Sequence, residues 1–285
     1  MPFETVALVP ALCFCLSSIF TRMGLDGSTP HTASFVVLQT QFAAFTLALV
    51  MVDFSRLSLS WYWVAFFAAG LSSPALSLLF MFRSIHRIGV APTSSLSNTH
   101  AIFGALWAFL LLGERPSAGV WAGVVFVAGG VYVMTGGGGS LARGRNLLLP
   151  LLSAACFGMA HVLRKVGFGG VDSVVFGGFL QGMSASVFGP LLLKAATQWQ
   201  PYVFNRDSVK YFLMAGLAMA FAQLSLLYAL RWGEVSRVSP IVSTVPLFTL
   251  VLAPLILGGR ERLTWRIVAG VCLIVAGVIL VTTLR

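Results

Sequence analysis

The segment Leu76-Ser77-Leu78-Leu79-Phe80 recurs 148 residues later as Leu224-Ser225-Leu226-Leu227-Tyr228. At offsets of 147 or 148 the similarity continues in charged, proline and glycine positions: Arg83 and Arg231, Pro92 and Pro240, Glu114-Arg115 and Glu261-Arg262, Gly123 and Gly270, Gly130 and Gly277. Nearer the N-terminus the offset is 143, which pairs Cys13-Phe14 with Cys156-Phe157, Arg22 with Lys165, and Gly24 with Gly167. Chance resemblance between apolar segments does not align charges and prolines, so the sequence indicates a duplication.

The composition places both copies in a membrane. Hydrophobic residues make up 58% of the 285, charged residues make up 9%, and the mean hydropathy is +0.93. Soluble domains carry about 25% charged residues, which they need to cover their surface. The net charge of +10 is spread over short loops, so it indicates contacts with lipid headgroups and disfavours nucleic acid as a partner.

Charged residues divide the sequence into ten uncharged windows, each about as long as the roughly 20 residues that a membrane-spanning helix needs. The windows are 5–21, 27–52, 57–82, 88–113, 116–142, 146–163, 173–193, 211–230, 238–259 and 267–284, and we number these predicted spans 1 to 10. The uncharged stretch 195–205 is short, polar and interrupted by Pro201, which predicts a loop.

Ten spans in two copies give five spans to each copy. Because five is odd, span n and span n+5 cross in opposite directions. The sequence therefore predicts an all-α integral membrane protein whose ten transmembrane helices form two inverted five-helix repeats. The expected boundaries are 1–135 for the first repeat, 136–146 for a flexible glycine-rich linker, and 147–285 for the second repeat.

The duplicated halves, each with Glu-Arg before a glycine-rich last helix, resemble the EamA-type branch of the drug/metabolite transporter superfamily. Leu112-Gly113-Glu114-Arg115 fits the family's pattern, whereas the second copy carries an extra residue in the Gly-Gly-Arg-Glu-Arg of 258–262. The resemblance implies a multi-pass secondary transporter of the bacterial inner membrane. Such a protein moves amino acids, metabolites or drugs, more often outward, by alternating access around a central cavity. It also implies that spans 5 and 10 form a scaffold away from the substrate path.

The acidic residues bear on how transport is driven. All eight lie near span ends or in loops: Glu4, Asp26, Asp53, Glu114, Asp172, Asp207, Glu234 and Glu261. A buried carboxylate, which the small multidrug exporters of the superfamily use to exchange protons for cations, is therefore not expected, and a neutral or zwitterionic solute is favoured. An uncoupled facilitator is the alternative to a coupled transporter.

Polar residues at depth are the candidates for binding the solute. His100 in span 4 and His161 in span 6 titrate near physiological pH, so they are candidates for proton coupling, or else they are neutral residues that hydrogen-bond to a neighbouring helix. The full set of expected substrate-binding residues is Gln39, Gln41, Asn98, His100, His161, Gln181, Gln223, Tyr228, Ser243 and Thr244. Binding near the midplane is typical of inverted-repeat transporters. The alternative is that such residues only hold helices together.

We predict no catalytic residue, no metal ligand and no cofactor. The four cysteines fall inside spans, and none of the usual hydrolase or metalloprotease motifs is present. An intramembrane enzyme would have to use Ser184 or Ser186 with His161, and a receptor is the other alternative. The expected partners are a small-molecule substrate and the lipid bilayer, with the chain as a monomer or a homodimer.

Small residues and prolines predict where helices approach and bend. Gly119-xxx-Gly123 and Gly178-xxx-Gly182-xxx-Ser186 have the spacing of close helix packing, either within the chain or in a homodimer. Prolines inside spans predict bends, at Pro74, Pro190, Pro246 and Pro254.

Charge and resemblance disagree about orientation. With the N-terminus in the cytoplasm, seven of the 18 Lys and Arg residues are cytoplasmic and eleven are outside. The positive-inside rule thus favours both termini outside. The family resemblance implies both termini inside, and we adopt that orientation.

Overall fold

The computed structural model describes residues 3–53, 60–88, 96–97, 99–134, 147–196, 201–257 and 265–283. Within these ranges every regular element is a helix, and no strand is present. Four features named in the sequence analysis lie outside them: Pro92, Asn98, the linker 136–146 and the Glu261-Arg262 pair.

Each of the ten predicted spans contains at least one described helix. The α-helices are α1 (Phe3–Gly24), α2 (Pro30–Ala48), α3 (Trp63–Gly70), α4 (Ser77–Ile88), α5 (His100–Trp107), α6 (Ala118–Met134), α7 (Leu148–Gly167), α8 (Val174–Ala196), α9 (Arg206–Trp232), α10 (Val235–Val242), α11 (Val245–Leu257) and α12 (Trp265–Thr283). Wider π-helical turns follow α2 and α5, at Leu49–Asp53 and Ala108–Leu112, and the segment Leu71–Leu76 between α3 and α4 contains a kink. Span 3 thus consists of α3 and α4, and span 9 of α10 and α11.

The helices have the length and composition of a multi-pass membrane protein. Six segments are long and apolar enough to cross a bilayer: Val6–Gly27, Pro30–Met51, Trp63–Met81, Leu148–Gly167, Val174–Ala195 and Arg206–Trp232. Shorter apolar helices cover His100–Leu112, Ala118–Val133 and Val268–Val281. Trp61, Trp232 and Trp265 are among the most exposed apolar side chains and lie at helix ends, where aromatic residues meet the membrane interface.

Two spans are broken near their middle. Ser73, which precedes Pro74, has extended φ and ψ angles of −146° and 124° between α3 and α4. Ser243 and Thr244 form a turn between α10 and α11, just ahead of Pro246. Proline cannot donate the backbone hydrogen bond of a helix interior, which explains both positions. By contrast, α8 runs through Pro190 without interruption.

Helices of one half pack mainly on helices of the other half. Helix α1 lies along α9, and α7 lies along α3 and α4, so spans 1 and 8 pair as spans 6 and 3 do. Helix α2 lies along α8, and α6 along α12. The packing therefore follows the duplication, and the two halves build one bundle.

The small-residue motifs are used inside the chain. A Cβ atom placed on Gly178 would meet the Phe45 ring of α2, and one placed on Gly182 would lie 3.4 Å from Phe42 of α2. On α6, a Cβ atom at Gly123 would lie 2.6 Å from the carbonyl oxygen of Gly277 on α12. Neighbouring helices of the same chain therefore already cover these faces. The small-residue motifs thus give no support for a homodimer.

We expect a sharp difference between two adjacent glycines of α6. In Gly130→Ala the new Cβ atom would lie 2.5 Å from the carbonyl oxygen of Gly270, so the α6–α12 pair must separate, at a cost of about 1–3 kcal/mol. A Cβ atom at Gly129 has no neighbour within 4 Å, so Gly129→Ala should be neutral or stabilising by up to about 1 kcal/mol. Thermal unfolding of the detergent-purified variants checks this. Equal melting temperatures would contradict the packing.

Candidate functional site

Six polar side chains come together in the interior of the bundle: His100, His161, Arg164, Gln181, Gln223 and Ser243, which we call the central polar cluster. Five of them are under 10% exposed, and His100 is partly buried. They come from four helices (α5, α7, α8 and α9) and from the turn after α10, and all of these except α5 belong to the second half. Burying several polar side chains together inside an apolar bundle costs free energy, so such a cluster indicates a functional site.

One half of the cluster is a chain of hydrogen bonds centred on Gln181 of α8. The Arg164 Nε atom donates to Gln181 Oε1 over 2.7 Å. Gln181 Nε2 in turn donates to Gln223 Oε1 on α9 over 3.3 Å. The side chain of Gln181 is completely buried, so this chain links α7, α8 and α9 deep within the bundle.

The other half of the cluster is a pair of histidines. The His100 and His161 rings have centroids 6.3 Å apart, and His100 Nε2 lies 3.0 Å from the Ser243 hydroxyl. His161 Nδ1 is buried and has no hydrogen-bond partner among the described residues. Because His161 and Arg164 are three residues apart on α7, their side chains share one helix face, which joins the two halves of the cluster.

Arg164 is the unexpected member of the cluster. Its side chain is 2% exposed, although it lies in the last turn of α7. Helical side chains lean toward the helix N-terminus, so this guanidinium is directed into the bundle. Arg164 is not a member of the ion pairs Arg22–Asp26, Lys210–Asp207 and Arg231–Asp172.

Arg164 is not included among the candidate binding residues of the sequence analysis, because each predicted span ends at the first charged residue. The uncharged window of span 6 ends at residue 163, which predicts Arg164 and Lys165 at the membrane edge, whereas α7 continues to Gly167. The internal repeat held a usable signal: Lys165 is matched by Arg22, but the equivalent of Arg164 is the neutral Thr21. If the charge of Arg164 only helped to set the membrane topology, we would expect a charge at the equivalent position of the other copy as well.

Among the described residues, no hydrogen bond joins Gln39, Gln41, Tyr228 or Thr244 to the central polar cluster. Gln39 Nε2 donates to the Ser186 carbonyl oxygen over 2.9 Å, which ties α2 to α8. Gln41 is 2% exposed, and its Nε2 atom has no partner among the described residues. The Thr244 hydroxyl donates to the Ile241 carbonyl oxygen over 2.7 Å. Tyr228 is 46% exposed, and Asn98 is outside the described residues.

Serine hydroxyls line α10 beside the cluster. Ser236, Ser239 and Ser243 occur at helical spacing, and all three are buried. The Oγ atoms of Ser236 and Ser239 have no partner among the described residues. Ser239 faces α5, because a Cβ atom at Gly104 would lie 2.6 Å from its Oγ. The face of α10 that meets α5 therefore offers uncommitted hydrogen-bonding groups.

Ionic contacts close the bundle at one end, where α7 and α9 end and α10 begins. Lys165 Nζ donates to the carbonyl oxygens of Leu230, Arg231 and Gly233 over 2.9, 3.3 and 2.8 Å, and so satisfies carbonyls that the end of α9 leaves free. Arg231 also contacts the backbone and carboxylate of Asp172 in the loop after α7.

Glu114 completes this closure from the loop after α5. Its two carboxylate oxygens accept the backbone N–H groups of Val235 and Ser236 over 2.8 and 2.9 Å. Helix N-termini carry free N–H groups and a partial positive charge, so a carboxylate stabilises them. Glu234, the residue that precedes α10, makes no side-chain cap of its own. We call the contacts made by Lys165 and Glu114 the clamp.

Among the described residues, the equivalent positions at the opposite end make no contacts like those of the clamp. Arg22, the counterpart of Lys165, lies 4.0 Å from Asp26, and the two side chains are 67% and 73% exposed. Arg83, the counterpart of Arg231, is also exposed. Glu261, the counterpart of Glu114, is outside the described residues. Among the described residues, therefore, the contacts that Lys165 makes with the end of α9 have no equivalent at Arg22, its counterpart at the opposite end of the bundle.

Comparison with known proteins identifies the duplication. A model of the EamA-like transporter family matches residues 2–136 and matches again at 145–283. A solved crystal structure is similar over 99% of this chain and 96% of its own, with a TM-score of 0.78 and 18% sequence identity. At that identity the likeness concerns the fold alone. No curated protein matches the chain.

Proposed function

This chain belongs to the EamA-like transporter family, and on that basis we propose that it carries a small polar organic solute across the membrane by alternating access. The ten spans would form two inverted halves that rock around the central polar cluster. Members of the EamA-like family are membrane transporters, which fits the apolar helices of both halves.

The main support is the position of the cluster relative to the clamp. The cluster is built from helices of both halves, as a site between rocking repeats requires. The clamp fastens α7, α9 and α10 to one another at one end of the bundle. The molecule therefore has the features of a state that is closed at the clamp end.

The orientation of the chain in the membrane determines which side the clamp closes. With both termini in the cytoplasm of a bacterial cell and the protein in the inner membrane, the loops after spans 4, 6 and 8 are cytoplasmic. These loops follow α5, α7 and α9, so the clamp closes the cytoplasmic side. Export of the solute would then require the clamp to open for loading and to close for release.

The chemistry of the described helices favours transport over an intramembrane reaction. The Ser184 hydroxyl donates to the carbonyl oxygens of Phe67 and Gln181 over 2.7 and 3.1 Å, and Ser186 donates to that of Met183 over 3.0 Å. Neither hydroxyl is bonded to His161, so neither has the base that an activated serine needs.

Counterflow tests the proposal. We expect purified protein in liposomes preloaded with unlabelled solute to accumulate labelled solute transiently and saturably, for at least one member of a panel of amino acids, amines, nucleosides and organic acids. Protein-free liposomes are the control. The absence of saturable exchange for every member would contradict transport.

A pH gradient separates coupled transport from facilitation. If the histidine pair couples protons to solute, an imposed gradient should drive uphill accumulation, and this should be lost in the His100→Gln/His161→Gln variant while downhill exchange remains. The facilitator is the second candidate because the charged pair of a typical proton relay is missing from the central polar cluster. Accumulation that survives in the double variant would exclude proton coupling through these rings.

A further inference from the structure

We propose that the transported solute carries a single carboxylate group, which the guanidinium of Arg164 binds inside the central polar cluster. This rests on the proposed function, because it specifies the chemical class of solute for the same site. It also revises the expectation of a neutral or zwitterionic solute: a carboxylate is required, and an ammonium group is not.

The charge balance of the interior is the first reason. Arg164 is buried, with only 2% of its surface exposed, and it forms no ion pair with a carboxylate of the described residues. A buried charge without a counter-charge is costly and is retained only where it has a use. One arginine beside neutral amides and hydroxyls matches one negative charge, so a monoanion fits better than a phosphate dianion.

The second reason is which atoms of Arg164 remain free. Gln181 accepts from Nε, and no hydrogen bond joins Nη1 or Nη2 to a described residue. The two Nη atoms form the edge of the guanidinium that binds a carboxylate through two parallel hydrogen bonds. Gln181 therefore fixes the orientation of the fork and leaves its binding edge uncommitted.

The helices that build the central polar cluster supply further polar groups without a competing acid. His161 lies one turn earlier on α7, and its Nδ1 atom has no partner among the described residues. Ser239 and Ser236 present unpartnered hydroxyls from α10. No described carboxylate belongs to the cluster, so a solute ammonium group would find only neutral acceptors there.

The duplication argues that Arg164 does not serve the architecture. Lys165 has a basic counterpart in Arg22, and both lie at helix ends, whereas the counterpart of Arg164 is Thr21. The Thr21 hydroxyl donates to the Ser17 carbonyl oxygen within its own helix. The same helix position is thus built without a cation in the other half.

Matched pairs of carboxylates and primary amides test the proposal by binding. The pairs are benzoate and benzamide, gluconate and gluconamide, and phenylalanine and phenylalaninamide, added at equal ionic strength to the detergent-purified protein. We expect at least one carboxylate to raise the melting temperature saturably by a few degrees, about the shift that occupancy far above Kd produces, while its amide does not. Equal shifts from a carboxylate and its amide, or no shift from any carboxylate, would overturn the proposal.

Variants assign the binding to Arg164. The shift should disappear in Arg164→Gln, persist in weakened form in Arg164→Lys, and be unchanged in Arg22→Gln, which removes an exposed arginine. If Arg164→Gln does not fold, the wild-type amide comparison and Arg164→Lys still decide. A carboxylate shift that survives in Arg164→Gln would refute the assignment. Saturable flux of a neutral or cationic solute, unaffected by Arg164→Lys, would end the carboxylate proposal while leaving the proposed transport intact.

Discussion

Replacing Arg164 by glutamine should lower the kcat/KM of solute exchange by about two orders of magnitude. Removing one partner of a buried charge pair costs about 2–5 kcal/mol, and each 1.4 kcal/mol is a factor of ten. The glutamine keeps a polar side chain near Gln181, so the loss should fall on the solute and not on the bundle. Initial rates of exchange in proteoliposomes, measured over a range of concentrations of the solute found by counterflow, give the value.

Two further variants sharpen this result. Arg164→Lys keeps the charge but lacks the planar fork, so we expect an intermediate loss of about tenfold. Arg22→Gln removes an arginine that is exposed at the end of α1 and should exchange solute at the wild-type rate. If all three variants transport alike, the central polar cluster is not the solute site.

Replacing Glu114 by glutamine should open the clamp. The carboxylate accepts two charge-assisted hydrogen bonds from the start of α10, and bonds to charged groups contribute about 1.5–3 kcal/mol each. Weakening one of them shifts the balance between the closed and open states by about tenfold or more. The completely buried Ser236, replaced by cysteine, should then react with a membrane-impermeant maleimide at least tenfold faster from the clamp side.

Glu234 provides the matched control for the clamp. It is exposed, carries the same charge one residue before α10, and makes no cap to that helix. Glu234→Gln should therefore leave the labelling rate of the cysteine at 236 unchanged. Equal acceleration by both glutamine variants would mean that overall charge, and not the contacts of Glu114, controls access.

Much of the fold follows from the sequence because it depends on patterns that repeat. The matched charges and prolines predicted a two-copy helical membrane protein, and the family model that matches each half confirms the resemblance. The ten polar residues expected at depth in the spans included His100, His161, Gln181, Gln223 and Ser243, and the structure places these five together. Whether they bind solute is a separate matter that the variants above test.

What the sequence could not show is which way a side chain at a helix end points. Ending each predicted span at a charged residue assumes that every charged side chain lies outside the membrane. This predicts Arg164 at the membrane edge, whereas its side chain is buried inside the bundle. For Tyr228, the match to the repeated segment gave a position along α9 but not the helix face, and its ring is 46% exposed. Long-range contacts such as Lys165 with the end of α9 also have no local signature, because the partners are far apart in sequence.

Two distances, measured together, decide whether access alternates. Spin labels at Val166→Cys and Trp232→Cys report on the clamp end, where both positions are exposed, and labels at Arg22→Cys and Arg83→Cys report on the opposite end. The native cysteines are first replaced by serine or alanine. The second pair marks helix ends whose counterparts, Lys165 and Arg231, touch at the clamp.

Alternating access predicts reciprocal changes when the clamp is weakened by Glu114→Gln together with Lys165→Gln. The 166–232 distance should lengthen, and the 22–83 distance should shorten in the same fraction of molecules. If the 22–83 distance stays constant, or lengthens together with the first, the clamp is a local fastening and the halves do not rock about the central polar cluster.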